Sequence, residues 1–137
     1  TIKPAIEKAK RAGLLVHTFW ILGYPGETHE EMQKTIDFAM SSGADSFTFS
    51  VLTPLSGTPI YRKVLKENLW WDGKENQNTF RSSLIKVDGF DSAIQFENFV
   101  NDANIKANIQ LQKNDPKRFA YKYGKRTGKK ETFVKQT

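Results

Sequence analysis

The stretch Gly13–Met32, GLLVHTFWILGYPGETHEEM, decides the fold of this 137-residue chain. Its apolar run, Leu14–Leu22, is rich in aromatic and β-branched residues and is interrupted only by His17. Such a run is typical of a strand that is buried on both faces of a parallel sheet. After the turn GYPGE, Thr28 and Glu31 have the spacing of a capping box that begins a helix. The stretch therefore predicts a strand, a tight turn and a helix.

The same alternation continues on both sides of this stretch. A helix is predicted over 2–12, the capped helix runs to about 42, and a strand over 45–52 alternates phenylalanine and valine with hydroxyl residues. A third helix begins after Thr58, with Pro59 at its first position. Strands that alternate with helices through short loops imply parallel βαβ crossovers. We therefore expect an α/β fold with a parallel sheet, which is either half of a barrel or a slice of a larger sheet.

The second half of the chain has a different pattern. A helix capped by Asp91 is predicted over about 92–113, with Phe96, Val100, Ala103 and Ala107 on one stripe, and a short helix over 116–123. We divide the chain into a barrel part, 1–72, a linker and helical extension, 73–124, and a basic tail, 125–137, expected to be disordered.

Charge and composition limit the functional classes. Residues 111–137 contain nine Lys or Arg and two acidic residues, whereas residues 1–110 contain 12 basic and 13 acidic residues. The basic character thus belongs to the tail, which is most often simply solvated. The chain has no cysteine, no long apolar run and no signal peptide, so we expect a cytoplasmic protein without a membrane span. It begins with threonine, which suggests a fragment.

The loops after the two strands are where a ligand is expected. In parallel α/β folds, ligands bind beyond the carboxyl ends of the strands, here at 23–27 and 53–57. Both loops are rich in glycine and proline, and neither holds a nucleophile beside a base or a phosphate-binding glycine pattern. A tight turn alone explains these loops about as well as a ligand does. An ordinary metal-independent barrel enzyme is disfavoured, because no acid–base pair is present.

Two ordered motifs, FWILGYPGETHEEMQKTIDFA and SFTFSVLTPLSGTPIY, resemble the second half of the radical S-adenosylmethionine barrel. The similarity covers about residues 1–72, and it implies an α/β fold that is a partial TIM-like barrel of two terminal βα units with a C-terminal helical extension. The branch that it resembles has an upstream cobalamin-binding domain, and the related methylthiotransferases and tRNA-modifying enzymes share both motifs. The resemblance implies an iron–sulfur oxidoreductase or transferase of the TIM-barrel type, with S-adenosylmethionine and a [4Fe–4S] cluster as cofactors; whether cobalamin is used stays open.

The resemblance also implies roles for individual residues. Ile21 packs on the adenine of the cofactor, Gly23 lets the backbone approach it, and Glu27 ties the turn to neighbouring loops. The segment Val51-Leu52-Thr53 is a second contact with adenine, made largely by backbone. Tyr24, on the rim loop, is a further candidate for the cofactor site.

The chain departs from the family in two places. Ser56 replaces the second proline of the usual PLPGTP, which loosens the loop. The cluster motif Cys-x3-Cys-x2-Cys is absent, because the chain has no cysteine. We therefore expect the full-length protein to be an enzyme and this fragment to be inactive, with no catalytic residue, no metal ligand and no cofactor bound to it alone.

Other polar residues are weaker candidates. His17 shares its strand parity with Ile21, which would place it near a substrate, although a strand histidine is more often a core residue. Thr48 and Ser50 would line the same cavity, although hydroxyl side chains at such positions more often only fill space. His29 and the Trp70–Trp71 pair are expected to be, respectively, exposed and part of the barrel packing.

The expected partner is the missing N-terminal half of the same polypeptide, and the substrate, a small molecule or RNA, is not determined. Because half a barrel exposes a strand edge, the fragment alone is expected to associate with itself. The alternative function is a non-catalytic scaffold whose basic tail binds RNA or an acidic protein, with binding that depends on salt.

Overall fold

Seven elements follow one another in the computed structural model, which describes residues 1–75, 77 and 82–127, with side chains as far as 123. They are α1 (Ile2–Arg11), β1 (His17–Leu22), α2 (His29–Met40), β2 (Ser46–Val51), α3 (Pro59–Lys66), α4 (Ala93–Asn114) and α5 (Pro116–Thr127). Within these ranges no helix combines the length and the apolar character needed to cross a membrane. The chain is therefore α/β in the general sense that the sequence predicted.

Local side-chain caps begin the helices. The hydroxyl of Thr28 accepts the N–H of Glu31, whose carboxylate accepts the Thr28 N–H, so the predicted capping box is confirmed. The predicted cap of α4 was wrong, because Ser92 and not Asp91 accepts the N–H of Gln95. The Asp91 N–H instead donates to the Gln95 side chain at 2.6 Å. One residue of uncertainty is ordinary at a helix start where two capping residue types are adjacent.

β1 and β2 form a two-stranded parallel sheet in register from His17–Ser46 to Leu22–Val51. On one face Trp20 lies opposite Phe49, and this face packs against α2 and α4. On the other face Phe19 lies opposite Thr48 and Ile21 opposite Ser50. We call this second face the open face and define it by His17, Phe19, Ile21, Ser46, Thr48 and Ser50.

The prediction that β1 is buried on both faces was wrong. The side chains of Phe19 and Ile21 are 76% and 62% exposed, and Leu14 and Leu15 before the strand are also exposed. An apolar run shows which side chains favour burial, but burial also needs a second layer. Helix α5 approaches the open face at the start of β2, where Arg118 Nη2 is 3.4 Å from Ser46 Oγ.

Helix α4 covers the other face and the outer edge of β2. Its predicted stripe is confirmed, since Phe96, Val100, Ala103 and Ala107 are all buried, and Leu111 extends the stripe by one turn. The side-chain amide of Asn104 accepts the backbone N–H of Phe49 at 2.9 Å and donates to its carbonyl at 2.8 Å. Residues on both sides of the predicted boundary at 72/73 therefore share one core.

A second, smaller core lies around α3. Leu52, Val64, Trp70, Leu84 and Ile85 form this cluster, and Trp70 and Ile85 join in an antiparallel bridge. The helical pattern predicted for 116–123 continues to Thr127, so the first three residues of the predicted tail are helical. Residues 128–137, the rest of that tail, lie outside the described residues.

Gly23 is the point at which α4 meets the end of β1. Gly23 has φ +89°, and a Cβ built there would lie 2.7 Å from Cζ and 2.8 Å from Cε1 of Phe96, with Val87 at 3.2 Å. Phe96 is 1% exposed, so its ring is packed inside the core and cannot turn away into solvent. The missing side chain of Gly23 is therefore required by the packing of α4.

We expect Gly23→Ala to lower the free energy of unfolding by about 1–3 kcal/mol more than Gly26→Ala, because overpacking adds to backbone strain. Gly26 is the matched control, since it has φ +91° and a methyl group at its Cβ position would meet no atom within 4 Å. Urea unfolding followed by circular dichroism measures both variants. Equal losses would show that Phe96 does not constrain this position.

Candidate functional site

The two loops predicted to hold a ligand lie side by side at one end of the sheet. The Leu52 N–H donates to the Leu22 carbonyl at 2.9 Å, which extends the ladder to the last residue before the Gly23 turn. The loops that follow β1 and β2 therefore leave the sheet from adjacent positions. This is the end at which parallel sheets present ligand sites.

Glu27 holds the first loop closed. Its carboxylate accepts the N–H of Gly23 at 2.9 Å and of Tyr24 at 3.1 Å, and its own N–H donates to the Tyr24 carbonyl at 2.8 Å. Among the described residues, Glu27 thus organises its own turn. Because both N–H groups are occupied, any ligand at this turn would meet side chains and carbonyl groups.

The candidate cofactor residues differ in their exposure. Ile21 and Tyr24 are exposed, at 62% and 52%, while Val51 and Thr53 are half-buried. Leu52 is buried in the core around α3, and it offers a ligand only its backbone. The Cβ side of Gly23 faces Phe96, a contact that the sequence did not reveal, since the α4 stripe predicted a buried face but not its partner.

The cavity beside these residues is small. Ser50 and Val51 line a cleft of about 180 Å³ together with Asn101 and Asn104 of α4. Pockets that enclose small molecules are usually about 300–1,000 Å³. In the part of the chain that the structure describes, no group of three or more His, Asp or Glu side chains is placed to hold a metal ion.

The candidate substrate-cavity residues lie on the open face. His17 Nδ1 is 2.7 Å from Ser46 Oγ, and Nε2 is 3.1 Å from Thr48 Oγ1. Ser50 lies further along, opposite Ile21. Partial burial, then the charges of Lys122 and Arg118, lower the pKa of His17 below its ordinary value. His17 is therefore a neutral ring at pH 7, with one nitrogen donating and the other accepting.

Asp45 and Arg118 join this end of the sheet and were missed by sequence reasoning. Asp45 Oδ2 accepts the Val16 N–H at 2.7 Å, and Asp45 Oδ1 is 3.1 Å from Lys10 Nζ. Arg118 of α5 lies 3.9 Å from the same carboxyl group. Burial would raise the pKa of Asp45, but the Val16 N–H and the two cations outweigh it and lower the pKa. No local spacing links these residues, so only the fold brings them together.

Comparison with known proteins finds two methyltransferases. The chain is 32% identical over 88 residues to an uncharacterised methyltransferase of Pyrococcus horikoshii, covering 64% of the chain and 19% of that protein. It is 32% identical over 92 residues to a cytidylyl-2-hydroxyethylphosphonate methyltransferase of Streptomyces wedmorensis, covering 61% of the chain and 17% of that protein. The matched region is thus less than a fifth of either relative. No family model and no solved structure matches the chain.

The stability of the fold should fall as the pH drops below about 6.5. The lowered pKa of His17 means that the unfolded chain binds this proton more readily, so acid favours unfolding, by at most about 1.4 kcal/mol per pH unit. His17→Gln keeps a hydrogen-bonding side chain without this titration. We expect urea unfolding between pH 7 and pH 5 to show a flatter dependence for His17→Gln. An unchanged slope would assign the effect to another group.

Proposed function

We propose that this chain is a C-terminal piece of a radical S-adenosylmethionine methyltransferase, in which it supplies contacts to the adenine of the cofactor and part of the substrate cavity. The observation that carries the proposal is the pair of loops after β1 and β2. Each loop belongs to one of the two motifs, and both leave the parallel sheet side by side at the same end. The similarity to two methyltransferases supports it. On this proposal the sheet is a section of a TIM-like barrel, and the open face is part of its interior.

The residues present fit S-adenosylmethionine in part and do not fit an iron–sulfur cluster. Exposed Ile21 and Tyr24 offer an apolar surface for a purine ring, beside the backbone of Leu52 and Thr53. The chain has no cysteine, so it has no thiolate ligand for an iron–sulfur cluster. The cluster and any cobalamin would have to be held by another part of the polypeptide. The role of this chain is then to bind, orient and exclude water.

S-adenosylmethionine binding tests this assignment in the longer polypeptide encoded by the source genome. We expect a Cys-x3-Cys-x2-Cys motif upstream of Thr1, and we expect Ile21→Asp to weaken binding about tenfold or more, because a carboxylate would be desolvated against the purine. Ile109→Asp is the matched control, since Ile109 is 59% exposed on α4. Equilibrium dialysis with labelled cofactor measures all three proteins.

Two results would contradict the proposal. One is an upstream reading frame without the cysteine motif. The other is equal binding by the Ile21→Asp and Ile109→Asp proteins, which would remove Ile21 from the cofactor site.

We further propose that the N-terminal part of the same polypeptide covers the open face, and that the chain alone associates with itself through this surface. Phe19 and Ile21 are exposed there, and β1 has no strand on its outer side among the described residues. Exposed edges and apolar faces of this kind favour association.

Sedimentation velocity of the isolated chain over a range of concentrations tests this association. We expect Phe19→Lys to shift the chain toward monomer, because it places a charge on the open face. Ile94→Lys should not do so, since Ile94 is 68% exposed at the start of α4. A monomer at all concentrations in the unaltered chain would refute the association.

A further inference from the structure

The lower end of the open face, where the strands begin, carries an excess of positive charge. Arg118 and Lys122 are four residues apart on α5, a spacing that places both side chains on one face of the helix. That face lies against the sheet, because Arg118 Nη2 is 3.4 Å from Ser46 Oγ. The cationic cluster, which we define as His17, Ser46, Thr48, Arg118 and Lys122, thus joins α5 to both strands.

Asp45 only partly balances this charge. Its single carboxylate is shared between Lys10 at 3.1 Å, the Val16 N–H at 2.7 Å and Arg118 at 3.9 Å. The contact with Arg118 is long for a charge-assisted hydrogen bond, which is usually about 2.7–2.9 Å. Lys10 and Arg118 therefore share the Asp45 carboxylate, Asp115 accepts the backbone N–H of Arg118, and Lys122 adds a further positive charge on the same face of α5.

The guanidinium of Arg118 has unused hydrogen-bonding capacity. Its Nη1 is buried and has no hydrogen-bond partner among the described residues. A buried donor without a partner costs free energy, so an arriving acceptor would be favoured there. One of the two hydroxyls beside His17 adds a donor, because the hydroxyl that accepts the ring N–H keeps its own hydrogen free for an anion, whereas the other hydroxyl donates to the ring.

The charges also act on His17. After partial burial, Lys122 and Arg118 are the causes that lower its pKa, so the positive potential reaches the middle of the cluster. The ring contacts the two hydroxyls and the ring of Phe19, whose centroid is 4.6 Å away, and Arg118 reaches it through Ser46.

We propose that the cationic cluster binds the phosphoryl end of the substrate, whose body lies along Phe19 and Ile21 toward the loops after the strands. The site itself stands on the contacts above; its use by a substrate rests on the proposed function. His17 and Ile21 are four residues apart on one strand, about 13 Å. A phosphoryl group suits the cluster better than a carboxylate, because its three oxygens can use the two cations of α5 and a hydroxyl of β2.

Proton NMR of the two histidine rings tests the site on the chain as it stands. The chain contains only His17 and His29, so each ring reports separately. His29, at the start of α2, packs against Phe90 and Phe99 and serves as an internal control. Inorganic pyrophosphate is titrated at constant ionic strength, with acetate titrated in parallel. We expect a saturable shift of the His17 signals with pyrophosphate, a much weaker one with acetate, and little change at His29.

Variants that each lose one positive charge distinguish a specific binding site from general electrostatic attraction. Arg118→Gln and Lys122→Gln should each weaken pyrophosphate binding about tenfold or more. Lys117→Gln removes the same charge from an exposed neighbouring position and should leave binding within about twofold. Arg118→Lys keeps a cation beside Ser46, and it should bind better than Arg118→Gln if charge matters and not only the docking of α5.

The outcomes are distinct. No saturable shift at His17, equal losses in all three glutamine variants, or tighter binding of acetate than of pyrophosphate would each overturn the proposal. None of these results depends on S-adenosylmethionine, so a failure here leaves the test of the cofactor site unaffected. Conversely, if the longer polypeptide binds pyrophosphate but does not bind S-adenosylmethionine, the proposed function is refuted and the phosphoryl site is not.

Discussion

The hydrogen bonds between Asn104 and Phe49 are the constraint on which the rest of the structure depends. The amide of Asn104 presents one acceptor and one donor to the peptide group of Phe49, as a neighbouring strand would. Without Asn104 this edge of β2 would be open and would favour pairing with another chain. Once these two bonds fix α4 along the edge, its buried stripe covers Phe47 and Phe49, and Phe96 reaches the position that only glycine at 23 leaves free.

This arrangement covers one edge of the sheet and leaves the other uncovered. The outer edge of β2 is covered by α4, whereas β1 has no strand on its outer side among the described residues. The sheet can therefore be extended from β1 only. On the proposed function β2 would then be the last strand of an open, incomplete barrel, because every strand of a closed barrel pairs on both edges.

Local signals predicted the elements, and their long-range partners could not be predicted. The capping box at Thr28 and the Phe96 stripe depend on residues three or four apart, so the sequence displays them directly. The Asn104–Phe49 pair joins residues 55 positions apart, and one asparagine on a helix has no pattern that indicates a strand edge. The same reason hid Arg118 and Asp45 from the candidate site. Burial of β1 on both faces was overestimated, because an apolar run reports a preference and not the presence of a covering layer.

The open face has two chemically different ends, and this difference has a physical consequence. Exposed Phe19 and Ile21 make its upper part apolar, while Arg118 approaches Ser46 at the lower end. A molecule that lies along β1 would lose water from apolar surface at one end and meet charge-assisted donors at the other. Electrostatic contacts fix orientation more than they add affinity, whereas apolar burial is not directional. The cationic end would therefore determine which way round a substrate lies, and the apolar end would hold its body beside the loops where the cofactor is proposed to bind.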